Sequence, residues 1–177
     1  MKTSNIVKNN LVTLLVALFL GAFLFCPGSV RALTYTDLYP FLPDLPGFKA
    51  EPPSGSSMQT PAGTFTSAER TYRAGAQTLH VRIVTGSMAQ MMWVPLAMQI
   101  SYDTPEERLE TITIQGFPAK RLTRKKEKGG TLLILLSQEK TRTPALMIVE
   151  CEGLTPAEAQ KYLSSFRLKD LASKVNP

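Results

Sequence analysis

One histidine and two cysteines are all that this 177-residue chain offers among the residue types that most often build metal and nucleophile centres. His80 stands alone, and neither Cys26 nor Cys151 lies near it in sequence. A zinc site made wholly of the usual protein ligands is therefore excluded. Glycine-rich phosphate loops, a serine nucleophile elbow and carboxylates at metal-ligand spacing are missing too. These absences point away from catalysis. Acidic residues are missing from Met1–Ala32, and neither internal repeats nor low-complexity tracts occur anywhere in the chain.

What Met1–Ala32 does contain is Lys2 and Lys8 followed by an apolar run from Leu11 to Cys26, interrupted only by Thr13 and Gly21. That is the pattern of a secretory signal. The run is 16 residues long, shorter than the ~20 that a bilayer-spanning helix needs. Pro27-Gly28 breaks it, and Val30-Arg31-Ala32 sets small residues where a signal peptidase reads, which predicts cleavage after Ala32. The expected location is the periplasm, or the outside of a single-membrane cell. The alternative is a domain anchored in the membrane by an uncleaved N-terminal segment. Phe25 before Cys26 argues against lipid modification, since lipid-modified precursors resemble one another in having Gly, Ala or Ser there.

Cleavage changes the charge and cysteine arguments. Lys2, Lys8 and Arg31 leave, so 20 basic residues fall to 17 against 14 acidic, a formal +3 instead of +6. Cys26 leaves as well, and Cys151 cannot form an intramolecular disulfide by itself. The remaining 145 residues of the 177 suit one domain with a real core.

Ser87–Gln99 is the stretch around which the rest is arranged. It holds the only Trp, four of the seven Met and no charged residue. Ser87 and Gln90 form a potential capping box, Met88, Met91 and Met92 fall at helical spacing on one face, and Pro95 predicts an end or kink near Val94. Six prolines from Pro40 to Pro61 give a Pro-rich N-terminal segment over 33–63, with a short helix expected over Thr36–Leu42 and a polar loop over Ser54–Gly63. An α+β domain over 64–177 follows, the whole of 33–177 being one folded unit. Ser67–Arg73 and Gln77–Thr85 read as a hairpin, with Leu79, Val81 and Ile83 inward and His80 and Arg82 outward. Asp103–Arg108 reads as a charged loop. Leu109–Ile114, Ala119–Arg124, Thr131–Ser137 and Leu146–Glu152 read as strands, Thr131–Ser137 being apolar on both faces and so central. Thr155, Pro156 and Glu158 give a start signal for a terminal helix. Its apolar stripe is Ala159, Tyr162, Leu163 and Phe166, with Leu168, Leu171 and Val175 either extending it or forming a second short turn. The expected fold is α+β: a mostly antiparallel sheet of about six or seven strands carrying a Met-rich helix and a C-terminal helix.

Pro46-Gly47-Phe48, the restart at Gly116-Phe117-Pro118-Ala119, the long basic hairpin and the closing Thr155-Pro156-x-Glu158 together resemble small exported α/β sandwiches of the PsbP-like superfamily. The resemblance covers most of Leu45–Leu171 and is one of element order. It implies an accessory protein bound to a membrane complex, and it transfers no functional residue.

Lys120, Arg121, Arg124, Lys125, Lys126 and Lys128 form the densest charge cluster. Outside the cytoplasm such a hairpin meets lipid headgroups or acidic proteins rather than nucleic acid, and it carries no interleaved aromatics for stacking on bases. The favoured function is an exported accessory or binding module without catalysis, docking on an envelope protein or an anionic membrane surface through this hairpin and the Pro-rich segment. The competing reading is a periplasmic Cu(I)-binding protein using Met88, Met91 and Met92, helped by Met58, because thioethers are soft ligands. Against copper, methionine on a helix stripe is ordinary core filling. Cys151, flanked by Glu150 and Glu152, is expected to be buried and inert. A third reading pairs His80 with Cys151 in an enzyme.

Overall fold

The computed structural model describes residues 33–61, 63–97, 100–137 and 144–176. The expected signal segment, Met1–Ala32, lies outside them. Leu33–Pro177 forms one compact unit. Among the described residues no helix is long and apolar enough to cross a membrane.

The fold is α+β, built on one antiparallel sheet. Nine strands take part: β1 (Lys49–Ala50), β2 (Ser54–Thr60), β3 (Gly63–Ala74), β4 (Gln77–Gly86), β5 (Tyr102–Asp103), β6 (Glu107–Ile114), β7 (Phe117–Arg124), β8 (Gly129–Leu135) and β9 (Ala145–Glu152). Their order is β1-β3-β4-β9-β8-β7-β6-β5, with β2 also on β3. The six expected strands are all present. The count rises because β1, β2 and β5 add themselves at the edges. β2 corrects the polar loop expected over Ser54–Gly63: all of its side chains are exposed, so it has no alternation to read, and backbone pairing from Ser54↔Glu69 to Thr60↔Gly63 holds it. Tyr102–Asp103 similarly turns part of the expected charged loop into an edge strand.

Period-two alternation gives the sheet two unlike faces. On one face Leu79, Val81 and Ile83 align with Cys151, Val149 and Met147, and next to them come Leu132 and Ile134. Two segments cover this face. A 3-10 helix (Tyr35–Phe41) and the chain after it insert Leu38, Leu42 and Leu45, while the C-terminal elements insert Leu163, Phe166, Leu168, Leu171 and Val175. The Pro-rich segment is thus anchored on the core through Leu38, Leu42 and Leu45. At the C-terminus, α2 (Pro156–Ala159) passes into a 3-10 turn (Gln160–Ser165) and then α3 (Leu168–Val175), the second of the two expected arrangements. Thr155 caps α2 as the sequence implies: its hydroxyl accepts from the Glu158 N–H, and its own N–H donates to Glu158 Oε2 at 2.7 Å.

On the other face the cover is one helix, α1 (Ser87–Ala97). Gly86, at φ 89°, makes the entry from β4; a Cβ there would run into the Thr64 carbonyl, so only glycine fits. The helix starts where expected but continues through Pro95 to Ala97. Proline's fixed φ is helical, and so near the helix end it costs a single bond to the Met91 carbonyl. Which side of α1 meets the sheet is also a correction. Ala89 is fully buried against Val84, Leu146 and Ile148, with Met92, Trp93, Phe65, Leu133 and Leu135 packed around them. The small Ala89 lets the helix come close, which centres the interface on 89, 92 and 93 and turns Met88 and Met91 away from it.

Candidate functional site

The β7–β8 hairpin gathers the basic cluster as expected, yet nearly every member already has a carboxylate beside it. Arg121 Nε lies 3.0 Å from Glu110, Arg124 3.5 Å from Glu127, Lys126 3.0 Å from Glu106 and Lys128 3.0 Å from Glu158. Lys125 pairs with Asp103, whose carboxyl it holds below its ordinary value. Lys120 is not a surface residue at all. It is 2% exposed, and its ammonium donates to Thr111 Oγ1 at 2.6 Å. Glu127 belongs to the tip itself, but Asp103 on β5, Glu106 in the turn before β6, Glu110 on β6 and Glu158 on α2 are distant enough in sequence that a local charge count does not include them. Exposed pairs of this kind contribute ~0–1 kcal/mol each to stability, but they cancel much of the field that an anionic surface would feel.

The open face carries a second constellation. A groove of about 380 Å³ runs between β2, β3, β4 and α1, lined by Ser54, Ser56, Phe65, Ser67, Glu69, Arg82, Val84, Met88 and Met92 among others. Its two charged residues satisfy each other: Arg82 Nε donates to Glu69 Oε2 at 2.9 Å. Burial alone would raise the Glu69 pKa, but Arg82 and the neighbouring His80 hold it below its ordinary value. His80 is half-buried beside this pair, with Nε2 3.4 Å from Glu69 and Nδ1 3.0 Å from Thr71 Oγ1. α1 then leaves Met88 41% and Met91 67% exposed, and Met58 on β2 is 61% exposed. By register Met58 stands opposite Phe65, on the face that α1 covers.

Of the sequence candidates, the structure brings Met88 and Met92 into one groove and leaves Met91 on the outer side of the same helix. His80 and Cys151 are not brought together. Cys151 pairs with Leu79 and faces the closed core, whereas His80 pairs with Glu150 on the other face, so the two cannot act as nucleophile and base. Cys151 is fully buried, and burial pushes its thiol up to about 11 despite Arg124, which makes it inert at neutral pH. Among the described residues no group of three or more His, Cys, Asp or Glu is placed to hold a metal ion. The groove-lining serines of β2 and the Glu69–Arg82 pair were not singled out from sequence; the alternation in β3 and β4 puts Glu69 and Arg82 on the outward face, and that was the one available signal.

No family model, no curated protein and no solved structure matches the chain.

Proposed function

We propose that the domain is an exported, non-catalytic binding module that docks an apolar segment of an envelope or membrane-associated protein on the open face of the sheet, beside α1. The observation that carries this reading is the exposure of Met88 and Met91 in a helix without a single charged residue. Flexible, polarizable methionine adapts to partner surfaces, and apolar side chains left together at a surface mark contact sites. The partner is expected to be uncharged where it touches, since the charged residues lining the groove already pair with each other. An anionic lipid surface fits less well, because the hairpin charges are largely matched by carboxylates.

A photo-crosslinking residue at position 91, in cells making the full chain, tests the reading. The expected result is a discrete adduct with one envelope protein, lost with Met88→Asp and kept when Lys125, Lys126 and Lys128 are changed to Gln. Loss with the Gln changes but not with Met88→Asp would move docking to the hairpin and overturn the assignment. Flotation of the purified domain with anionic vesicles, in the absence of any protein adduct, would replace the protein partner by lipid.

A further inference from the structure

We infer that α1 carries a thioether site for a soft monovalent metal ion, Cu(I), formed by Met88, Met91 and Met92. This does not rest on the docking reading, although it uses the same helix. Residues three and four apart on a helix have their Cβ atoms about 5–6 Å from one another, and methionine's three rotatable bonds let the sulfurs converge from that spacing. The helix exists over all three positions. Core packing accounts for Met92, which belongs to the cluster around Ala89, but not for Met88 at 41% or Met91 at 67% exposure. Met88 and Met92 line the same groove, so one packed thioether and one exposed one share a cavity, with Met91 one turn from Met88 on the outer side.

The surroundings select the ion. α1 has no charged residue, and the Glu69 carboxylate in the groove is engaged by Arg82 at 2.9 Å. Calcium and magnesium require several hard oxygen ligands, and zinc prefers thiolate, imidazole or carboxylate. A neutral set of three sulfurs offers none of these and suits Cu(I). Thioethers also carry no proton to displace, so binding is expected to be independent of pH across the neutral range, unlike that of a thiolate or imidazole site.

The test uses the purified exported protein under anaerobic reducing conditions, with Cu(I) titrated against a chromogenic chelator and Ag(I) as a redox-inert probe. One equivalent is expected to bind, with perturbed methyl resonances for Met88, Met91 and Met92 only. Leucine at all three positions keeps volume and helix propensity while removing sulfur. That variant should stay folded by circular dichroism and weaken binding by more than about tenfold, the scale on which even outer-shell changes act at metal sites. Cys151→Ser should bind as the parent does. Absence of binding, binding unchanged in the leucine variant, or binding lost with Cys151→Ser would each overturn the site. With the photo-crosslinking residue at position 91 and leucine at 88 and 92, a partner that is still captured would leave docking standing without metal.

Discussion

The two faces of the sheet are made by the same strands and differ in almost everything else. The closed face takes the two ends of the described chain as its cover, and its Leu, Ile and Phe side chains are at or near zero exposure. The open face takes one helix, whose buried contacts centre on Ala89, and leaves Met88 and Met91 exposed. One face therefore supplies most of the stability, and the other is left free to bind. Surfaces that bind are commonly drawn from the less stabilised parts of a fold.

Several substitutions would sharpen or break that contrast. Phe166→Ala, removing the ring that meets Tyr72 edge-on at 6.4 Å on the closed face, should cost about 3–5 kcal/mol in urea unfolding. Ala89→Leu, adding volume where α1 touches the sheet, should cost about 1–3 kcal/mol and displace the helix, seen as changed Trp93 fluorescence. Thr155→Ala should lose about 1 kcal/mol by removing the α2 cap. The same cap sets an acid dependence. The Thr155 N–H, then Lys128 and the Thr155 hydroxyl, lower the Glu158 carboxyl from 4.5 to about 2. Its contribution is then fully present above 4.5 and lost as pH falls towards 2. Glu158→Gln should flatten that limb of a stability-against-pH curve. Met91→Ala should be the mildest, within about 0.5 kcal/mol. A loss as large as that for Phe166 would mean that α1 is core and that the faces do not differ as described.

The sequence revealed the elements whose side chains obey a period. β4 and β9 alternate cleanly, β8 is apolar on both sides and lies between β7 and β9, and the Thr155–Glu158 cap was visible from residue types alone. β2 was missed because an edge strand with both faces in solvent imposes no pattern on its side chains. The inward side of α1 is not legible from residue type, because three methionines are the more conspicuous apolar residues, while close approach depends on the smallest residue at the contact, Ala89. The hairpin looked basic because charge was counted along the chain; its partners Asp103, Glu106, Glu110 and Glu158 are neighbours only in space. Glu69 and Arg82 were legible as outward residues but not as groove walls, since the groove exists only once β2 and α1 are in place.

The ladder between β4 and β9 has a consequence in time. It joins the early hairpin to the last strand, pairing Thr78 with Glu152 and Thr85 with Ala145, in the middle of the sheet. A chain emerging from its N-terminus holds β3 and β4 with no neighbour for β4's inner edge until nearly all of the protein has been made. Such late, long-range closure makes folding slow compared with hairpin formation. The inner edge of β4 is closed, and the sheet made continuous, only when β9 arrives.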